Sequence, residues 1–292
     1  MKIKQEIISL VKDTFTSRES LVLWLSPLII LFLLYRSDPY WHPLILNYLF
    51  SSFLFVFIPV AIYIFPQKGK QSKFTWILWF TFFILSILPM LLGEFFSIKR
   101  DQWFPPYVPG QEPMHNWPWL PVVIIPLGIL MFWTMHKSGF KPADFGISWG
   151  RWKLWVPLVV AFLIIITPIL WILSKQPEFQ QTYPLFRYMI RNNADFWAID
   201  LSWFYYILIW EFLFRGFILF TLAKKIGVSR AIFVQAIIFS FAHLGKPELE
   251  TYSSLAGGVL VGMLAYLSRS FLPGAVVHWA LALIMDILVF FS

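Results

Sequence analysis

Glu211 and Arg215 stand four residues apart in an otherwise apolar run. The acid precedes the base, so a helix there sets both on one face as a favourably ordered ion pair. His243 closes a second apolar run, with Phe239 one helical turn before it, and His278 lies in a third, with Asp286 further along. Lys246, Glu248 and Glu250 follow His243 almost at once. Carboxylate and imidazole are the groups that activate water for hydrolysis, with or without a metal. Each feature alone has a plainer reading. The pair can be structural, and a lone His in an apolar helix is usually a satisfied core hydrogen-bonder. At 1.5 Å per helical residue, however, Glu211 lies roughly 18 Å from the polar gap at Lys224, Arg215 roughly 12 Å, His243 roughly 18 Å from Arg230, and His278 roughly 10 Å from Arg269. Four polar side chains from three runs at shared depth point to one cavity.

These runs belong to a chain that reads as a membrane protein. Of 292 residues, 59% are hydrophobic, 20% aromatic and 13% charged. That is more apolar surface than a soluble fold of this size can hide, whereas lipid as solvent removes the need to hide it. Apolar runs near 21–35, 44–65, 74–97, 119–135, 153–173, 196–222, 231–243, 254–268 and 271–291 approach the length of about 20 residues that crosses a bilayer. The expectation is an all-α polytopic fold with eight or nine transmembrane helices. Ile3, Ile7, Val11 and Phe15 fall on one helical face among Lys2, Lys4, Lys12 and Arg18, which predicts an interfacial helix over 1–20. Residues 21–195 then form N-terminal spans almost free of internal charge, and 196–292 the polar-lined core. An ionisable residue inside a span is costly, so its presence there is itself a functional signal.

The formal net charge of +8 comes from 23 Lys and Arg against 15 Asp and Glu. In a soluble chain that balance would suggest nucleic acid, but here the basic residues fall in short gaps between apolar runs and offer no continuous basic face. No nucleic-acid partner is expected. Lys68, Lys70, Lys73, Lys137, Lys141, Arg151, Lys153, Lys224, Lys225, Arg230 and Arg269 mark alternate gaps, which places the N-terminus in the cytoplasm. The gap at 98–118 is Pro-rich and aromatic and reads as a rigid interfacial loop. The chain has no Cys, which removes disulfides, thiolate metal sites and a Cys nucleophile. The run 231–243 is too short to span, so Gly245 to Glu250 is expected to roof the polar cavity. Gly258 and Gly262, with Ser254 one turn earlier, form a small-residue face for close helix packing.

The run Trp210-Glu211-Phe212-Leu213-Phe214-Arg215-Gly216, then Phe239-x-x-x-His243, then His278 in the last helix, resembles the CPBP family, which includes the type II CAAX prenyl endopeptidases. The family pattern is Glu-Glu-x-x-x-Arg, Phe-x-x-x-His and His-x-x-x-Asn on successive helices. The resemblance covers about 196–291 and implies an intramembrane endopeptidase of the bacterial inner membrane, acting on a membrane-embedded or lipidated peptide. It assigns Glu211, Arg215, His243 and His278 to the site. It also implies either a divalent metal such as zinc on Glu211, His243 and His278 or no cofactor at all. Two positions depart: Trp210 stands at the first Glu and Ala282 at the Asn. Three readings of the first departure follow: Glu211 is the base, Glu250 substitutes, or the chain is an inactive relative that binds a membrane peptide or serves as a scaffold. A proton-coupled carrier is a further class, disfavoured because no internal repeat stands out. Asp286, one turn beyond Ala282, is the expected stand-in for the missing Asn as the group that orients His278.

Overall fold

A computed structural model of the protein describes residues 2–37, 80–81, 84, 119–137, 140–185, 187, 190 and 192–291. The expected spans 44–65 and 74–97 and the loop 98–118 lie almost wholly outside the described residues. The described chain runs α1 (Lys2–Phe15), α2 (Arg18–Ser37), α3 (Trp119–Lys137), a 3-10 turn (Pro142–Phe145), α4 (Trp152–Leu173), α5 (Pro177–Thr182), α6 (Asn193–Glu211), a π-helical segment (Phe212–Ile218), α7 (Leu219–Ile226), α8 (Val228–Phe241), α9 (Glu248–Ser268) and α10 (Leu272–Phe290). There is no strand among the described residues, so the fold is all-α. Five continuous helical stretches among the described residues are long and apolar enough to cross a membrane: 18–36, 152–173, 193–226 (α6, the π segment and α7 together), 248–268 and 272–290.

Local sequence explains the boundaries. Asn192 caps α6, its side-chain oxygen accepting from the Ala194 and Asp195 amides at 2.8 and 3.0 Å. Asp195 in the first turn adds negative charge where the helix dipole is positive. Gly227, at φ 93°, separates α7 from α8 in a conformation that side-chain-bearing residues avoid. At the start of α9, Pro247 is the cap residue, and Glu248 and Glu250 occupy the first turn. This corrects the expected loop. The acids favour the helix N-terminus, so the non-helical stretch after α8 ends at 247 and Glu250 is helical.

The core is apolar, and so is much of the outer surface. Every residue from Glu211 to Leu222, and every residue from Ala231 to Phe241, is buried, as befits helices surrounded by other helices. Leu158, Ile164, Ile165, Ile169 and Ile172 of α4 instead face outward, as do Leu21, Val22, Leu25 and Ile29 of α2. In lipid such faces need no cover. On α1, Leu10 and Thr14 pack inward, while Ile3, Ile8, Val11 and Phe15 remain exposed. Arg151 reaches Glu6 at 3.2 Å and Arg230 reaches Glu19 at 2.6 Å, tying α1 and the start of α2 to the basic end of the bundle.

Helices α8 and α9 meet across the small-residue face anticipated from sequence. A Cβ at Gly258 would lie 3.1 Å from the Ala236 Cα, and one at Gly262 would lie 2.5 Å from the Gln235 Nε2. That amide is already committed to the carbonyls of Ile232 and Gly258 at 2.9 and 2.8 Å. Gly257 beside it faces open space. Gly258→Ala should therefore lower the thermal midpoint of the purified protein by several degrees. Gly257→Ala should leave it unchanged or raise it, because Ala is favoured over Gly in a helix by about 1 kcal/mol. Equal effects of the two substitutions would contradict this packing.

Candidate active site

Four elements converge on the polar residues. The end of α6 supplies Glu211, the π segment Arg215, the turn after α8 His243, and α10 His278. A π segment is a local widening of the helix and is frequent at functional sites. Here it begins immediately after Glu211 and contains Arg215, and the two side chains remain on one face. The Arg215 Nη1 donates to the Glu211 Oε1 at 2.8 Å, with both side chains almost fully removed from solvent.

The same oxygen has a second partner. His278 Nδ1 lies 2.8 Å from the Glu211 Oε1, and because a carboxylate only accepts, the imidazole supplies the proton. In the neutral ring that bond fixes the tautomer, with the lone pair on Nε2. The His278 side chain keeps about a quarter of its surface exposed, unlike Glu211, which keeps none. His243 is held in the equivalent tautomer, its Nδ1 donating to the Phe239 carbonyl one turn back at 2.8 Å. The two imidazole rings are 5.9 Å apart between centres, with 35° between their planes.

Phe239 is the hub of this arrangement. Its ring carries the Arg215 guanidinium at 3.8 Å from the centroid, packs on His243 at 4.5 Å and meets His278 edge-on at 5.5 Å. The spacing of four residues between Phe239 and His243 thus has a physical reason. The ring seats the buried cation while the carbonyl of the same residue orients the imidazole. Trp210 enters an aromatic ladder that runs from Trp203 through Tyr206 and Trp210 to Phe214, with centroid distances of 4.4, 5.8 and 5.1 Å.

Glu211 keeps one buried oxygen, Oε2, without a hydrogen-bond partner, as does Arg215 at its Nε. Oε2 lies against the α carbon of Gly274, one turn before His278, where a Cβ would collide with it and would come within 3.2 Å of Val261. Sequence reasoning missed Gly274; its position four residues before His278, on the same helical face, was the available signal. Gly274→Ala is expected to push the carboxylate off Arg215 and His278. Displacement of about 1 Å in such a constellation costs about 100-fold in rate, so any activity of the site should fall by that order while the protein still purifies as a monodisperse species. Wild-type activity in this variant would show that Oε2 is free to move.

Two expectations are corrected here. Glu250 does not join the site. Its carboxylate accepts the Tyr183 hydroxyl at 2.7 Å, and Lys246 donates to the same hydroxyl at 3.3 Å. Burial pushes the Tyr183 phenol up and the Lys246 ammonium down from their ordinary values, with Glu250 strengthening the first effect and opposing the second. Asp286 does not orient His278 either, since Glu211 has taken the Nδ1. It pairs instead with the carboxyl of Asp200 on α6 and lies near Lys246. At 1.5 Å per residue it sits about 12 Å beyond His278 along α10. Glu250, Lys246, Tyr183, Asp200 and Asp286 thus form a second polar cluster.

A metal on Glu211, His243 and His278 requires a carboxylate oxygen and two imidazole nitrogens to converge on one point. Glu211 Oε1 and His278 Nδ1 are instead bonded to each other. Among the described residues no group of three His, Cys, Asp or Glu is arranged to hold a metal ion. Used in this way, the Glu211 oxygen and the His278 nitrogen are not free for a metal.

No curated protein and no solved structure matches the chain. Residues 191–284, which carry all four site side chains, match the family described as type II CAAX prenyl endopeptidase Rce1-like, the same family group that the motif spacing resembles.

Proposed function

We propose that the protein is an intramembrane endopeptidase of the CAAX-protease type that hydrolyses a peptide bond in a membrane-embedded or lipidated substrate. The observation that carries this reading is the hydrogen bond from His278 to Glu211, which leaves the partly exposed His278 Nε2 as a basic atom beside His243. A purely structural Glu211–Arg215 pair has no need of a second, solvent-reaching partner. Carboxylate behind imidazole is the arrangement that makes a histidine an effective general base.

The roles differ from the sequence readings in which Glu211 or Glu250 is the base. Glu211 is sealed in and holds the ring; His278 does the proton transfer. One water between the two rings can give one hydrogen to each Nε2, which aims an oxygen lone pair at the scissile carbonyl. His278 takes the proton as the carbon–oxygen bond forms, and the buried Glu211 stabilises the resulting imidazolium. Return of that proton to the leaving nitrogen breaks the carbon–nitrogen bond, and the two chain ends separate. The basic end of the bundle, with Lys224, Lys225, Arg230 and Arg269, faces the cytoplasm in this proposal.

The test is a cleavage assay on purified protein in lipid nanodiscs. It compares prenylated peptides, their unprenylated counterparts and single-span transmembrane peptides, with products identified by mass spectrometry. Cleavage of a lipidated or transmembrane class that disappears with His278→Ala supports the proposal. No cleavage of any class, with peptide still bound in a way that depends on the site, would instead favour a non-catalytic binder.

A further inference from the structure

The turn that carries His243 is the least regular backbone in the site, and the protein fastens it from outside. The His243 carbonyl accepts the Lys246 amide at 3.1 Å and the Thr251 hydroxyl at 2.6 Å. The Lys246 carbonyl accepts the hydroxyl of Tyr35 at 2.8 Å, and Tyr35 also meets the Thr251 hydroxyl at 2.7 Å. Two hydroxyl protons therefore serve three contacts: Thr251 donates to His243, and Tyr35 divides its proton between Lys246 and Thr251. Both side chains are deeply buried, Tyr35 at 6% exposure and Thr251 at 0%. Just beyond, Arg36 pairs with Glu248 at the start of α9.

Tyr35 belongs to α2, some two hundred residues from the turn it holds and outside the stretch that matches the peptidase family. Between the two clasped carbonyls lies Gly245 at φ 87°, a residue with few steric limits on its backbone. Apart from the clasp, the backbone of residues 243–246 is held by short-range turn hydrogen bonds, while the side chains of Leu244 and Lys246 are anchored separately, in the core and on Tyr183. The imidazole of His243 is fixed to the Phe239 carbonyl by one end only, so its Nε2 moves with the turn.

We propose that Tyr35 and Thr251 are positioning residues for His243, setting the distance between its ring and that of His278. The assignment rests on the hydrolytic reading of the site, in which that distance matters to rate. The clasp makes α2 a working part of the site.

The experiment uses the full chain in nanodiscs with Tyr35→Phe, Thr251→Val and Thr251→Ser. Two quantities are read: kcat and KM for peptide cleavage, and the rate at which diethyl pyrocarbonate modifies His243 relative to His278, followed by mass spectrometry. Tyr35→Phe and Thr251→Val should each lower kcat about tenfold with KM unchanged, because misplacement of a catalytic group acts on the chemical step. The same two variants should raise the relative modification of His243 about threefold, as a loosened turn opens more often. Thr251→Ser keeps the hydroxyl and should restore both values. Unchanged His243 modification in Tyr35→Phe and Thr251→Val would overturn the proposal, whether or not cleavage falls. If the wild type cleaves nothing, the hydrolytic reading fails by itself, and the modification rates still decide whether Tyr35 and Thr251 position His243.

Discussion

His278→Ala is expected to lower peptide cleavage by about 1,000-fold, the middle of the range for removal of a general acid–base. The variant should fold, because the His278 side chain is partly exposed and its loss leaves Glu211 still paired with Arg215. Glu211→Gln offers the sharper version. An amide at this position keeps the size and one acceptor oxygen but removes the negative charge that stabilises a protonated His278. Activity should fall by a similar order, and stability should fall with it, since Arg215 is left buried without its counter-charge. Comparison of the two variants separates the roles: if Glu211 were itself the base, Glu211→Gln would abolish cleavage while His278→Ala left it measurable.

The second large effect concerns stability. Arg215→Met should cost about 3 to 5 kcal/mol, because it strands the carboxylate of Glu211 in a fully buried position without its counter-charge. Arg215 also contributes a stacked contact on Phe239 at 3.8 Å, which Met only partly replaces. The double variant Glu211→Leu with Arg215→Met should recover most of the lost stability, since replacing both partners of a buried pair by apolar groups is often close to neutral. It should recover no cleavage. Thermal unfolding of the wild type, Arg215→Met, Glu211→Leu and the double variant in one detergent, read by loss of the folded gel-filtration peak, measures this directly. A double variant no more stable than Arg215→Met alone would mean that the pair is not isolated from its surroundings in the way the geometry indicates.

The residues of the site were legible because lipid makes charge conspicuous. Glu211, Arg215, His243 and His278 stood out as ionisable groups in apolar runs, and depth along each helix was enough to bring them together. The boundary of α9 was harder to read. Gly245 and Pro247 mark a turn, but the acids after them serve a polar loop and a helix first turn equally well, so sequence alone does not separate Glu250 from the loop. The π segment left no signal, since its residues are the apolar ones an α-helix would also use. The partnership of Glu211 and His278 depends on how α6 and α10 cross, and the fastening of the His243 turn by Tyr35 depends on how α2 packs on α9. Such long-range contacts have no period or spacing by which a single chain could announce them. Gly274 lies between these cases. Its place on the His278 face could be counted, but the carboxylate that presses against it could not.

The helix formed by α6, the π segment and α7 has a consequence for the membrane itself. Its 34 residues extend about 50 Å, well beyond the roughly 30 Å of hydrocarbon in an ordinary bilayer. Tilts of transmembrane helices reach about 40°, which is not enough to absorb the excess, so the ends of this helix occupy the headgroup layers. Asp195 and the cap at Asn192 sit at one end, and Lys224 and Lys225 at the other. Lipid thickness therefore acts as a ruler for this protein: thicker or thinner acyl layers change how far the helix leans, and with it how deep beneath the headgroups the Glu211 carboxylate rides.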